Sequence, residues 1–375
     1  MTKHITKPAT RKLQVTASAK TSTAATTPHA IGIDVGDRLS YICILDSDGP
    51  PCREDRVRTS VASFSKYFEE LPFSRIALEA GTHSGWISRL LETLGHTVVV
   101  ANARELRKIH QSDRKNDRAD ARVLARMLRF DPQLVAPIRH RSAQMQADLA
   151  MIRARDTLVG ARTKCVNAAR GLVKASGARL SKCSTRRFGT AAFEHVPIEL
   201  QAALSPLIET ISNLSEQIRH YDRNIEALTK SYPSTEVLRQ VSGVGTLTSL
   251  AFVLTVADPA RFRRSRDIGP YLGLVPRQDD SGDRRSQLPI TKAGDTHLRR
   301  LLVGSAQYIL GPFGSSCSLR SFGERLAQRG GKNAKKRAVV AVARKLAILL
   351  HRLWVTGEVY EAQHNESNQR TDQAA

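Results

Sequence analysis

The stretch IGIDV, residues 31–35, is a short apolar run with one carboxylate inside it. A run of this length and composition is typical of a buried strand. An unpaired carboxylate is costly to bury, so Asp34 is a candidate functional residue. The stretch therefore predicts a sheet domain with a polar site on its first strand.

The residues that follow alternate between strand and helix patterns. Further apolar runs, typical of strands, are Tyr41–Leu45 (YICIL), Ile76–Leu78 (IAL) and Thr97–Ala101 (TVVVA), and Arg56–Thr59 is a candidate for a third strand. Helix patterns cover Val61–Leu71, Trp86–Leu94 and Asp117–Phe130. Two hairpin-like strands followed by strand–helix–strand–helix predict an α/β domain with a mixed sheet, which we place at residues 29–135.

Three more carboxylates stand at informative positions in this domain. Glu79 ends a predicted buried strand, and Asp117 and Asp120 begin a helix at positions i and i+3, which share one face. Each has an ordinary explanation, such as a helix N-terminal acid favoured by the dipole. Together with Asp34 they predict a site for Mg²⁺, which prefers oxygen ligands and can act on a phosphodiester.

The rest of the chain predicts helices. Residues 140–232 contain an a/d heptad seam over four heptads, which indicates a coiled coil either within the chain or with a second subunit. Residues 235–355 form a mostly helical C-terminal domain, and residues 1–28 and 356–375 are expected to be disordered tails, the first of them basic. The seam residues are Leu200, Leu204, Leu207, Ile211, Leu214, Ile218, Tyr221, Ile225 and Leu228.

Composition narrows the class of partner. The formal net charge is +23 over 375 residues, which favours a polyanion such as nucleic acid or a membrane surface. No apolar run reaches the roughly 18–20 residues of a membrane span. The first residues lack an apolar core, so we expect them not to act as a secretory signal. Five scattered cysteines without a CxxC pair exclude a disulfide framework and fit a reducing cytosol.

Much of the positive charge lies near the C-terminus. Residues 259–352 carry 20 Lys and Arg against 6 Asp and Glu. The segment VSGVGTLTSLAF, 241–252, resembles the hairpin of a helix-hairpin-helix element, in which Gly243 and Gly245 expose backbone N–H groups that favour phosphate. A tight helix–helix turn is the alternative interpretation. Further candidate nucleic-acid-binding residues are Arg277, Arg284, Arg285, Lys292, Arg299, Arg300, Lys335, Lys336 and Arg337.

Several segments in the same order resemble one family. They are IGIDVGD, ALEAGTHSGW and RKNDRADARVLARML in the first part of the chain, and LRQVSGVGTLTSLAFVL, PRQDDSGDRRSQLPITKAGD and KNAKKRAVVAVARKLAILL in the second. The chain resembles the DEDD-type insertion-sequence transposases, which are bridge-RNA-guided recombinases, over roughly residues 30–355. It departs from the family pattern at Gly36-Asp37, where Ser-Lys is common, and at Asn116, where Thr is common.

The resemblance implies an RNase H-like (RuvC-like) N-terminal domain whose Asp34, Glu79, Asp117 and Asp120 bind Mg²⁺. It also implies a C-terminal transposase domain with a serine nucleophile, which we place at Ser281, with Ser286 as runner-up. Asp37, Asp279 and Asp280 leave open whether further carboxylates lie near the metal. Because Ser281 and the carboxylates are far apart in sequence, the two domains would have to meet, in cis or between subunits.

The resemblance predicts strand cleavage and exchange of donor and target DNA, guided by a bridge RNA, by a homodimer or homotetramer in the cytoplasm at the nucleoid. Two other classes remain open at this point. A metal-dependent, structure-specific endonuclease of the Holliday-junction type would use the same carboxylates with water as nucleophile. A non-enzymatic nucleic-acid binder is disfavoured by the intact set of four carboxylates.

Overall fold

The computed structural model describes residues 29–46, 51–109, 116–180, 183–185, 187–191, 196–281, 284–285 and 288–363. The chain divides into two compact units, Met1–His140 and Arg141–Ala375. Among the described residues, no helix is both long and apolar enough to cross a membrane. The predicted tail 1–28 lies outside the described residues.

The first unit is built on a six-stranded mixed sheet, with strand order β3-β2-β1-β4-β5-β6. Strand β1 pairs antiparallel with β2 and parallel with β4, and β4 pairs parallel with β5. The mixed α/β domain predicted from the sequence is therefore confirmed. The strands are β1 His29–Asp34, β2 Leu39–Leu45, β3 Pro51–Arg58, β4 Ser74–Glu79, β5 Thr97–Ala101 and β6 Pro137–Ile138.

Four helices accompany the sheet: α1 Val61–Glu69, α2 Ser84–Thr93, α3 Ala103–Ile109 and α4 Asp117–Phe130. Large side chains of β1 and β4, such as Ile31 and Leu78, join one apolar cluster with Phe64 of α1 and Leu91 of α2. On the other face β1 and β4 present small residues, among them Ala30, Gly32 and Ala77, and α4 packs against β1, β2 and β4. This difference in side-chain size lets α4 approach the sheet closely.

Two long helices begin the second unit. They are α5 Ala143–Ala175 and α7 Ile198–Leu228, with the short α6 Phe188–Ala191 between them. Arg155 of α5 pairs with Asp222 of α7, and Arg162 hydrogen-bonds Ser215, so the two helices run antiparallel. The seam of α7 is buried or half-buried, and α7 packs against α5 of the same chain. The apolar seam thus has a partner within the chain, and Pro206 lies inside α7.

The remaining helices pack around a second apolar core. Helix α9 is buried on all sides. Helix α11 packs against both α9 and α13. After α13 the chain still contacts this unit, because the Ala362 carbonyl accepts from the Ser318 N–H. Residues 364–375 lie outside the described residues, so disorder there stays a prediction. These helices are α8 Ser234–Arg239, α9 Thr246–Val256, α10 Ile268–Tyr271, α11 Thr296–Leu310, α12 Ser318–Gln328 and α13 Ala334–Thr356.

Candidate active site

Parallel pairing brings two of the predicted carboxylates to one edge of the sheet. The register pairs Gly32 with Ala77 and Ile33 with Leu78, and Asp34 and Glu79 are the next residues of the two strands. The carboxyl ends of neighbouring parallel strands meet at the same edge. Because side chains alternate along a strand, Asp34 lies on the same face as Gly32.

Gly32 determines how closely α4 lies on that face. A Cβ atom at this position would lie 2.5 Å from the backbone nitrogen of Ala125, and closer still to the carbonyl oxygen of Ala121. The α4 backbone therefore rests directly on β1. This contact places the first turn of α4 near the end of the strand, where Asp34 is located.

The N-terminus of α4 supplies the other two carboxylates. Asn116 caps the helix, since its side-chain oxygen accepts from the Arg118 N–H at 3.2 Å. Asp117 and Asp120 lie in the first turn, where the helix dipole favours negative charge, and both are half-buried. The helix thus presents two carboxylates from one face.

All four carboxylates line one cavity of about 590 Å³. Its wall comes from the ends of β1 and β4, the loops that follow them, α3 and the first two turns of α4. The lining residues are Asp34, Val35, Gly36, Asp37, Glu79, Ala80, Gly81, Thr82, His83, Ala103, Leu106, Asp117, Asp120, Val123 and Leu124.

The chemistry of this cavity suits a hard divalent cation. Its candidate ligands are carboxylate oxygens, which Mg²⁺ prefers over nitrogen or sulfur. Within the described ranges, however, no three His, Cys, Asp or Glu side chains are grouped closely enough to hold a metal ion. The donor atoms fit the ion, and the carboxylates would have to move closer together to bind it.

A histidine that the sequence analysis missed also lines the cavity. The Trp86 indole N–H, which can only donate, points to Nδ1 of His83 at 3.1 Å. Nδ1 must therefore accept, so Nε2 carries the ring proton and donates it to Asp37 at 3.3 Å. The THSGW segment after Glu79 carried this signal, because it places His83 and Trp86 three residues apart, on one helical face.

Short loop contacts hold the two ends of this site. The Ser84 hydroxyl donates to the Gly81 carbonyl at 2.7 Å and accepts from the Gly81 N–H at 3.0 Å. On the other side, the Thr59 hydroxyl donates to the Gly36 carbonyl at 2.8 Å. The loop carrying His83 is thus closed by its own hydrogen bonds. The loop carrying Asp37 is tied to the residue that follows β3.

Known proteins match the chain on both sides of its unit boundary. Residues 31–176 match the DEDD transposase family of IS110 elements, and residues 235–313 match the family described as transposase IS116/IS110/IS902. The transposase for insertion sequence element IS1111A of Coxiella burnetii is 27% identical over 348 residues, covering 88% of this chain and 90% of the relative.

Two further relatives of this chain are also named as transposases. The transposase for insertion sequence element IS1328 of Yersinia enterocolitica is 29% identical, over 74% of this chain and 82% of its own. A Sinorhizobium fredii protein named as a transposase, y4pF/y4sB, is 30% identical, over 81% of this chain and 79% of its own. The chain belongs to the IS110 family of insertion-sequence transposases. It is a DNA transposase.

The proposed nucleophile of this transposase lies in the second unit. Ser281 is in a two-residue strand, β7 Asp280–Ser281, which pairs antiparallel with β8 Arg284–Arg285. The backbone of Ser281 is opposite Arg284. The runner-up, Ser286, lies outside the described residues. The side chains of these strands are not described, so the role of Ser281 stays a prediction.

The predicted basic residues of the transposase occupy different surroundings. Arg277 and Lys292 are exposed, as are Lys335, Lys336 and Arg337 in the first turn of α13. Arg300 is paired with Asp156 at 2.5 Å.

Arg299 differs from these other predicted basic residues because its side chain is buried. Its guanidinium donates to the Leu272 carbonyl at 3.0 Å and to the Thr296 hydroxyl at 3.1 Å. These internal bonds explain its charge without a phosphate. We therefore leave Arg299 out of the proposed nucleic-acid surface.

The Gly-x-Gly segment of the transposase is a turn between α8 and α9. Gly243 has φ of +86° and packs against Tyr308 and Ile309 of α11, so a side chain there would meet both strain and a clash. Gly245 is exposed and precedes the first turn of α9. Beside it, the Thr246 hydroxyl donates to a Glu226 carboxylate oxygen at 2.5 Å. An acidic side chain thus already lies near this helix end.

Proposed function

We propose that this transposase cleaves and rejoins DNA strands with Ser281 as nucleophile, and that Asp34, Glu79, Asp117 and Asp120 hold Mg²⁺. The observation that carries the proposal is the single cavity lined by all four carboxylates. They come from three separate elements, which the Gly32 contact and the parallel β1–β4 pairing bring together.

The topology supports an RNase H-like fold for the first unit. Three antiparallel strands, β3-β2-β1, continue into β4 and β5, which are parallel to β1. In this arrangement the carboxylates lie at the end of the central strands and on one helix that covers them. The prediction of a RuvC-like catalytic domain follows from this strand order together with the family.

The proposed chemistry is transfer of a DNA phosphate to the protein. The Ser281 oxygen would attack phosphorus and lose its proton, the P–O3′ bond would break, and the 3′ oxygen would take up a proton. A phosphoserine link and a free 3′ hydroxyl result. A serine hydroxyl is a weak nucleophile at neutral pH and needs activation. When bound, Mg²⁺ supplies charge stabilisation for the phosphate oxygens.

The protein's own residues would orient the DNA. The His83 Nε2–H is directed at the Asp37 carboxylate, so a phosphate oxygen would have to replace Asp37 as its acceptor. The Trp86 N–H holds the His83 ring in this orientation. Lys335, Lys336 and Arg337 offer charge to the backbone without reading its sequence. Donor and target DNA are the proposed substrates.

A guide RNA is proposed on family resemblance. The positive charge of the chain suits RNA as well as DNA, and contacts to backbone and shape would suffice if base pairing selected the target. Sequencing the RNA that co-purifies with the protein tests this. Structured RNA encoded beside the gene supports guidance, and its absence would point to direct recognition of DNA.

Glu79→Gln tests the proposed metal site directly. The substitution keeps the shape of the side chain and removes one anionic ligand. DNA strand exchange should therefore be lost, while nucleic-acid binding stays largely intact. Chelation of divalent metal should have the same effect on the wild type. Strand exchange that survives both changes would contradict the proposal.

A further inference from the structure

The second unit contains an open groove with an apolar floor. Its volume is about 870 Å³, within the roughly 300–1,000 Å³ of typical ligand sites. The floor includes Leu326 of α12 and Val340, Ala341 and Ile348 of α13. Residues 333, 336, 337, 340, 341, 344, 345 and 348 all line it, which is one continuous face of α13.

The rim of this groove is cationic. Its charged lining residues are Arg329, Lys336, Arg337, Arg344 and Lys345, and no described carboxylate lines the groove. Burial lowers the pKa of Lys345, and the neighbouring charge of Arg325 adds to this. An anion at the rim would offset both effects. The charge distribution therefore favours an anionic occupant that also has an apolar surface.

Beside the floor and the rim, one side of the groove is formed by the base of the segment that carries Ser281. Pro276 and Ile290 line the groove and form an antiparallel bridge, and Ser281 lies in the chain between them. The Arg277 N–H donates to the Pro289 carbonyl at 3.0 Å, which holds this base closed. A chain bound in the groove would lie beside the segment of the proposed nucleophile.

We propose that this groove binds a single-stranded segment of nucleic acid, with an unstacked base on the apolar floor and its phosphates on the cationic rim. The groove proposal rests on the proposed function, because it assumes that nucleic acid is the partner of the protein. A duplex presents phosphates and keeps its base faces stacked inside, so it would use the rim but not the floor. A second copy of this chain, with net charge +23, would bring like charge to the rim.

One aromatic side chain contributes to the floor. Phe322 of α12 is half-buried, and the Lys345 ammonium lies 4.0 Å from its ring centre. A base that stacks near this pair gains from an apolar surface and an adjacent cation at once. Such a site is hard to predict from composition, because only 5% of the residues are aromatic.

Binding of 2-aminopurine-labelled strands to the full-length protein tests the proposal. Single-stranded DNA, single-stranded RNA and duplex DNA are titrated in EDTA, so that no metal-dependent cleavage occurs. Ala341→Leu fills the groove with a good helix former. It should weaken single-strand binding about tenfold, the loss expected when stacking of one base is removed, and leave duplex binding within about twofold. The DNA and RNA arms identify which strand is preferred.

A second variant tests the rim. Replacing Lys336 and Arg337 together by Ala should weaken single-strand binding and lower the slope of log K against log salt by roughly 1.4, which corresponds to two phosphate contacts. Lys332→Ala is the matched control, because Lys332 is exposed just before α13 and does not line the groove. It should leave single-strand affinity within about twofold of the wild type.

The outcomes separate this inference from the proposed function. Equal loss of single-strand and duplex binding in Ala341→Leu, no loss in either, or a change in oligomeric mass without a change in binding would overturn the groove proposal. Duplex binding by a wild type that does not bind single strands would also overturn it and leave the proposed function standing. A wild type that binds neither would contradict both.

Discussion

Gly32 of β1 and Ala121 of α4 touch through their backbones. No side chain fits between them, because a Cβ atom at Gly32 would overlap the Ala121 carbonyl oxygen. The same helix carries Asp117 one turn before Ala121, and Asp120 directly before it in the chain. The close approach of α4 to β1, and with it the position of Asp117 and Asp120 beside Asp34, therefore depends on the absence of a side chain at residue 32.

Gly32→Ala should disrupt the site without touching any carboxylate. The added Cβ forces α4 away from β1, and overpacking of this kind costs about 1–3 kcal/mol of the free energy of unfolding. We expect a lower midpoint in urea and a loss of strand cleavage. Gly160→Ala is the control, since Gly160 is exposed in α5 with nothing near its Cβ position and should gain about 0.5–1 kcal/mol.

Mg²⁺ should stabilise the folded transposase through the carboxylate cavity. A ligand that binds only the folded state raises its apparent stability by mass action. The thermal midpoint of the wild type should therefore rise as Mg²⁺ is added, and those of Asp34→Asn and Asp117→Asn should not. Asp222→Asn, on α7 of the second unit, is the control and should respond like the wild type. An equal rise in all four proteins would place the ion elsewhere.

Trp86→Phe should release the ring of His83. Phenylalanine keeps the packing against Phe64 and removes the N–H that Nδ1 accepts, a bond worth roughly 1 kcal/mol. Nitrogen NMR should show His83 of the wild type with its proton on Nε2, and a mixture of tautomers in the variant. The same mixture in the wild type would contradict the assigned proton position.

Acid should weaken the second unit partly through Asp295. Burial by itself would raise the pKa of this carboxyl, but the Leu298 N–H and the Arg153 guanidinium outweigh it, so the pKa lies below its ordinary value. The unfolded chain then takes up the proton more readily than the folded one. The stabilisation is present above the ordinary value and is lost as pH falls through the lowered one.

Asp295→Asn measures this contribution, since asparagine can still cap α11. The variant should be less stable by at most about 1 kcal/mol at pH 7, because Arg153 is half exposed, and should lose less stability on going to pH 3. Combining it with Arg153→Gln in a double-mutant cycle isolates the pair. Additive effects at pH 7 would show that the 2.9 Å contact contributes nothing.

The sequence predicted some features of the fold well, and the reason is local. Thr97–Ala101 and Asp117–Phe130 have the predicted bounds, because apolar runs and an Asn cap define their ends within a few residues. The heptad seam of α7 was also visible, but its partner was not. Leu204 and Ile208 of α7 share an apolar cluster with Val166 and Val173 of α5, which are far from them in the sequence.

The site was partly predictable for the same reason. Asp34 was conspicuous as a charge inside an apolar strand, and it does line the cavity. His83 was not, because its place depends on a contact with Trp86 and on the loop after β4. Arg299 looked like a phosphate ligand from charge alone, and only its burial shows that it serves the interior.

A covalent protein–DNA adduct on denaturing gels is the most direct evidence for the proposed serine nucleophile. Wild type with Mg²⁺ and its DNA and RNA partners should give an adduct, and Ser281→Ala and Glu79→Gln should give none. An adduct with Ser281→Ala would show that another residue is the nucleophile. DNA cleaved by the wild type without any adduct would favour attack by water, as in a structure-specific endonuclease, and would contradict the central claim.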